Sequence, residues 1–367
     1  MRTIKVYGVP SHTTKERVSG VDMARVIQPM QHLNGKVIDG VKFKTKVYDP
    51  HKDEKTADWR EIADEYDIIF LNYTVSAWAF AHMGAMVRHY KKLMILDSDD
   101  SLWDVQPDNP AYSVFEKGKG HIENFTSICN EVDYITTTNK YLRNVIVHNT
   151  HKKHDEVKIL PNRVDFKLYH HRPKFKDTHN IQLLHFGSTT HFIDLANEEF
   201  ADGIDKVFKN YPNVSLVTVG AFDPKYQARW GSRYASKRGD ADVYKWIENK
   251  FPEYVGESDI LVVPLEDNIY TRCKSNIKWL EASSASLPGV WQNIRQYKNV
   301  IRDGENGFLA DTRDDWYNSI TKLIDDKELR RKMGKTAFNQ VKSEYQMKDS
   351  VADYGKYFIK CLTEFHS

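Results

Sequence analysis

The strongest constraint in this sequence is an alternation. Short apolar runs of strand length at 3–7, 42–48, 67–71, 93–96 and 134–137 are separated by stretches such as 21–33, 78–90 and 122–130, whose apolar residues recur three and four apart. Strand then helix, repeated, is what a parallel sheet with crossover helices requires, so the class is α/β. Near residue 160 the pattern lapses in VKILPNRVDFKLYHHRPKFKDTHN, which has prolines, histidines and no clean period and reads as a linker. The alternation restarts at 181–186, 214–219 and 259–263, with shorter runs at 289–291 and 307–310. A long helical stretch follows Asp314. Two successive α/β units and a terminal helix are expected.

Composition narrows the function. The 367 residues are 40% apolar, enough to give each unit a core. Lys and Arg number 53 against 51 Asp and Glu, which removes the bulk electrostatic argument for an obligate polyanion binder. Cys129, Cys273 and Cys361 lie far apart without metal-ligand spacing, so a disulfide framework or structural zinc is not expected and a reducing, cytoplasmic setting is. The opening MRTIKVYGVPSHTTKER lacks the apolar stretch of a signal peptide, and no apolar run approaches the length of a membrane span.

Four constellations carry chemistry. In YTRCKSNIKWLEASSASLPGV (270–290), Lys274, Lys278 and Glu281 share a helix face behind Ser275 and Asn276. Free N–H groups and lysines at a helix start cradle a diphosphate, and a carboxylate further along accepts ribose hydroxyls; the other reading is an exposed ion-pair ladder. In LLHFGSTTHFIDL (183–195), Gly187, Ser188 and Thr189 follow a strand at the sheet edge where ligands bind, or merely cap a helix. His185 and His191 are given no role. LMILDSDDSLWD (93–104) ends a strand in Asp97, Asp99 and Asp100. Those carboxylates resemble the manganese site of GT-A glycosyltransferases, suit a phosphatase with Asp97 as nucleophile and Asp99 as acid/base, line an acceptor cleft, or cap a helix. The loop GVPSHTTKERVSGVDMARVIQPM offers His12, Lys15, Arg17, Ser19 and Arg25 to a substrate.

In order, these pieces resemble the retaining GT-B glycosyltransferases of the family 4 type, most closely over 259–335. DILVVPLEDN, KSNIKWLEASSASLPGV and RQYKNVIRDGENGFLADTRDDWYNSITKLIDDKELRRKMG match that family's strand ending in Pro, Lys/Ser/Lys/Leu-Glu helix, Leu-Pro-Gly-Val turn, Asp-Gly-x-Asn-Gly turn and Trp-containing helix. VDYITTTNKYLRNVI and VKILPNRVDFKLYHH resemble the family's close of the first domain and its interdomain segment. Three positions depart. Cys273 stands where the first of two glutamates is usual, GSTTHF replaces an Arg and Lys after the second domain's first strand, and DSDD replaces a His-Asp pair.

The resemblance implies two Rossmann-like domains, 1–165 and 166–345, with an interdomain cleft and a C-terminal helix, 346–367, packing back on the first domain. It implies retaining transfer from a UDP- or GDP-sugar, with no metal and no cofactor beyond the donor. Glu281 would hold the ribose, and Gly187, Ser188, Thr189, Lys274, Ser275, Asn276 and Lys278 would surround the diphosphate. The acceptor would enter over the first domain, meeting His12, Lys15, Arg17, Arg25, Asn72 and Tyr73, with Asp99 or Asp100 orienting or deprotonating its hydroxyl. A soluble glycan is the default acceptor and a hydroxymethylated base in DNA, the substrate of a phage-type member, the minority reading. The alternatives are the Asp-x-Asp-x-Ser phosphatase and a catalytically inactive nucleotide-sugar-binding protein.

Overall fold

The computed structural model describes residues 1–49, 58–169, 173, 180–187, 193–220 and 224–367. Its strands are β1 (Thr3–Val9), β2 (Val37–Ile38), β3 (Val41–Val47), β4 (Ile68–Asn72), β5 (Leu93–Ser98), β6 (Tyr134–Thr137) and β7 (Val157–Ile159) in the first sheet. The second holds β8 (Ile181–Phe186), β9 (Val214–Val219), β10 (Tyr234–Lys237), β11 (Ile260–Val263), β12 (Gly289–Gln292) and β13 (Phe308–Ala310). The orders are β2-β3-β1-β4-β5-β6-β7 and β10-β9-β8-β11-β12-β13, all parallel except the β2–β3 pair. Both are Rossmann-like, which excludes the single continuous sheet expected of the GT-A reading.

The central strands are apolar on both faces because helices cover both: every residue of β4, β5 and β11 is buried. The order in which successive strands are added reverses between β1 and β4 in one sheet and between β8 and β11 in the other. Such switch points open a crevice beyond the carboxyl ends of the strands. The loops there carry His12 and Tyr73 in the first sheet, and Gly187 and the segment after β11 in the second.

The expected 21–33 helix is interrupted. A π turn, Met23–Ile27, separates Gly20–Asp22 from Gln28–Leu33, and the same device, Trp246–Lys250, precedes Phe251–Glu257. Each π turn runs into a proline, Pro29 or Pro252, whose ring cannot accept the ordinary i→i−4 geometry. The run after Asp314 breaks into Arg313–Asp325, Lys327–Glu344 and Met347–Phe365. The last lays Val351, Tyr354, Phe358 and Leu362 into the first sheet's core beside Phe43 and Phe70. Gly355 permits this approach, since a Cβ there would lie 2.4 Å from Ile38 Cδ1. Among the described residues no helix is long and apolar enough to cross a membrane.

Candidate active-site cleft

The second-domain wall is built after β11. Asn268 and Thr271 form a capping box that starts the Ile269–Cys273 turn, and the chain then enters the Ile277–Ser284 helix. Asn276 leads that helix without a side-chain cap bond, leaving the first-turn N–H groups to other partners. Lys278, on the first turn, is 7% exposed, and its ammonium has no hydrogen-bond partner among the described residues. Burial pulls its pKa down to about 8, Asp194 opposing that and neighbouring Lys274 adding to it. Lys274 reaches the other domain: its Nζ lies 3.3 Å from Asp100 Oδ1 and 3.3 Å from Tyr270 Oη, over the Tyr270 ring. Burial alone would lower its pKa, but Asp100 and Tyr270 hold it raised.

Glu281, one turn after Lys278, accepts a hydrogen bond of 2.9 Å from Tyr169 Oη. Burial lifts its pKa to about 7 against the opposing Tyr169 bond and Lys278 charge. Asp194 is 1% exposed, and burial raises it to about 6 despite Lys278, Lys274 and His185. Gly187 follows β8, its N–H donating to Val219 O. Ser188 and Thr189 lie outside the described residues.

The first-domain wall is built differently. Asp22 gathers the loop after β1, accepting from Ser11 N, His12 N, Thr13 Oγ1 and Asn72 Nδ2 at 2.8 to 3.1 Å. Asn72 is therefore a buried brace, not an exposed acceptor contact. Arg25 also differs from the expectation. It is wholly buried, its Nε and Nη2 each 2.8 Å from an oxygen of Asp97 and its Nη1 donating to Leu160 O and Asn162 Oδ1. A guanidinium is the one cation whose fork satisfies a buried carboxylate at both oxygens. Asp97, which also accepts from Thr136 Oγ1, is fully buried and has no path to a substrate, which removes the phosphatase nucleophile.

Lys15 and Arg17 are exposed on the loop. His12 packs on Tyr73 with ring centroids 4.5 Å apart. Tyr73 in turn feels Asp99, Asp100, Tyr270 and Lys274, so these side chains form one cluster across the cleft. Burial, then Asp100 and Asp97, raise the Asp99 pKa to about 8. Among the described residues no group of three or more His, Cys, Asp or Glu side chains could hold a metal ion.

Several cross-domain residues escaped the sequence reading. Asn139 caps the Lys140–Asn149 helix with its Oδ1 and donates Nδ2 to Cys273 O at 2.6 Å. Asn162 donates to Ser275 Oγ at 2.8 Å. Asp242 accepts from Val18 N at 2.8 Å, and Val18 O accepts from Val243 N. Cys273 turns toward the first domain's core cluster, where burial pushes its thiol to about 12. These partners are more than a hundred residues apart in sequence and leave no local spacing; only the Asn-led helix start at Asn139 was a readable signal.

Residues 181–326 match the family described as glycosyl transferases group 1. No curated protein sequence matches the chain. Among solved structures, HepE of Anabaena in complex with UDP-glucose is 12% identical, with a TM-score of 0.66 over 97% of this chain and 100% of that one. Sucrose-phosphate synthase of Thermosynechococcus elongatus is 13% identical, with a TM-score of 0.66 over 98% and 100%. A glycosyltransferase from Rickettsia africae is 11% identical, with a TM-score of 0.63 over 99% of each chain.

Proposed function

From a GT-B fold whose second domain carries the group 1 glycosyltransferase sequence, we infer that this protein transfers a sugar from a nucleoside diphosphate sugar to an acceptor hydroxyl. The observation that carries the reading is Lys278. A buried ammonium with no partner among the described residues is costly, and it sits at an uncapped helix start beside Lys274. A diphosphate supplies the missing counter-charge. As the sugar–phosphate bond breaks, negative charge develops on the leaving β-phosphate, and Lys274, Lys278 and the first-turn N–H groups stabilise it. Ser275, Asn276 and Gly187 complete the diphosphate surround, with Ser188 and Thr189 assigned to it from sequence alone. Glu281, held by Tyr169, accepts the ribose hydroxyls. HepE, which binds UDP-glucose, makes a uridine donor the first to test.

The reaction is retaining and needs no cofactor beyond the donor, as the family resemblance implies. Cys273 offers no carboxylate to the donor sugar, so recognition of that sugar falls to other groups. The acceptor hydroxyl arrives from the first-domain side, near His12, Tyr73, Asp99 and Asp100, with Lys15 and Arg17 at the rim. Titration calorimetry with UDP and GDP, followed by proton NMR of the product formed from UDP-glucose or GDP-mannose and a glycan panel, tests this. Micromolar nucleotide binding and a product of unchanged anomeric configuration are expected. Absence of binding to either nucleotide refutes the reading, and an inverted product refutes retention.

A further inference from the structure

The two walls of the cleft differ in chemistry. The second domain presents lysines, whereas the first presents His12, Tyr73, Asp99 and Asp100. Two polar atoms of the first wall, His12 Nε2 and Asp99 Oδ1, are shielded from solvent and have no hydrogen-bond partner among the described residues. Native proteins leave few such atoms, and those they leave call for a ligand or a water. The His12 ring packs at a tilt against Tyr73 and bonds to the Tyr73 backbone, while burial lowers its pKa, so near neutrality Nε2 is an acceptor. Asp99 lies between Asp97 and Asp100, and burial together with those carboxylates keeps it protonated near pH 7, able to donate as well as accept. Tyr73 is held as a phenol by burial and by Asp99 and Asp100, which adds a hydroxyl to this wall; Tyr270 faces it from the second domain, with its own hydroxyl and ring engaged by Lys274.

An acceptor, a neutral acid and a phenol match hydroxyl groups. The donors among them would serve an anion as well, so what disfavours an anion is the Asp100 carboxylate beside them. A phosphate or carboxylate placed here would meet Asp100, whose one ion-pair partner among the described residues, Lys274, is the lysine assigned above to the diphosphate.

We propose that this wall is a subsite for a neutral sugar ring, with His12 Nε2 and Asp99 Oδ1 bonded to neighbouring hydroxyls, and that it rejects acceptors bearing phosphate or carboxylate beside the reacting hydroxyl. That the ring belongs to the acceptor rests on the transfer reading; that the subsite binds neutral sugars does not.

The test is saturation-transfer NMR on the full chain with UDP present. The probes are the methyl glycosides of glucose, galactose and N-acetylglucosamine, their 6-phosphates, and a hydroxymethylated DNA duplex. At least one neutral glycoside should bind about tenfold or more tightly than its phosphate, the repulsion expected of like charges a few ångströms apart near a protein surface. Asp100→Asn should shrink that preference. His12→Ala should weaken the neutral glycosides by about tenfold, one hydrogen bond's worth, and His12→Gln should recover part of it. UDP affinity and circular dichroism, measured on each variant, exclude misfolding as the cause. Equal or tighter binding of the phosphates, preference for the duplex, or no change in Asp100→Asn overturns the proposal. If UDP and GDP fail to bind while the neutral preference persists, the transfer reading falls and the sugar subsite stands.

Discussion

Lys278→Met should make the unliganded protein more stable and the liganded one less so. Methionine has nearly the length and volume of the lysine stem, so it fills the same space without the charge. The ordinary lysine pKa of 10.5 falls to about 8 in the fold. Folding therefore disfavours the ammonium. Below pH 8 the lysine is protonated both folded and unfolded, and the full penalty applies; it shrinks as pH rises from about 8 to 10.5 and is absent above. At about 1.4 kcal/mol per tenfold step in the proton equilibrium, the drop corresponds to about 3 kcal/mol. Urea denaturation at pH 7 should show Lys278→Met more stable than wild type by something approaching that figure, with the gain fading by pH 10.5. Saturating UDP should reverse the order, because only the wild type couples nucleotide binding to relief of the buried charge. A variant that is no more stable than wild type at pH 7, or that binds UDP with wild-type affinity, refutes the argument.

Glu281→Ala should weaken UDP or GDP binding by about 1.5–3 kcal/mol in calorimetry, the loss of a hydrogen bond to a charged group. Arg25→Met should destabilise the fold by about 3–5 kcal/mol in chemical denaturation, because Asp97 is left buried without its cation; Arg25→Met with Asp97→Leu should recover much of it. UDP affinity of the wild type should fall as pH rises past about 8, where free Lys278 loses its proton. Transfer at saturating donor should fall over the same range for a separate reason, ionisation of Asp99 beside Asp100. Asp99→Asn should abolish the fall in transfer rate at saturating donor and leave the fall in UDP affinity in place.

The strands were legible where both faces are covered. β4, β5, β8, β9 and β11 are mostly apolar and almost wholly buried, and their expected bounds differ from the observed ones by two residues at most. β7 and β10 were not, because Val157–Ile159 is three residues long inside a proline-broken stretch and Tyr234–Lys237 is an edge strand with two exposed residues. The β2–β3 hairpin did carry a signal, the Asp39-Gly40 dipeptide, both residues of which adopt positive φ. In the site, Lys274, Lys278 and Glu281 were readable because helical spacing fixes which side chains share a face. Asp194 and Tyr169 were not, since each reaches the site from another element. Arg25 and Asp99 show the limit of reading charge from sequence. Both looked like exposed functional groups, yet one is locked in an ion pair and the other is held in neutral form by burial and two neighbouring carboxylates.

If the protein is the transferase proposed above, that contrast gives one cleft a way to keep two substrates apart. On the proposed reading the donor side concentrates positive charge where a leaving phosphate needs it, and Lys278, without a hydrogen-bond partner among the described residues, favours a diphosphate. The acceptor side concentrates carboxylates, but Asp97 is neutralised by Arg25, Asp99 by a proton and Asp100 by Lys274. Only the third of these neutralisations crosses between the domains. A diphosphate that draws Lys274 toward itself removes the cation from Asp100, leaving the acceptor wall more negative once donor is bound than before. Donor binding would then sharpen the wall's preference for uncharged hydroxyls at the moment transfer becomes possible, and the preference measured with UDP present should exceed that measured without it.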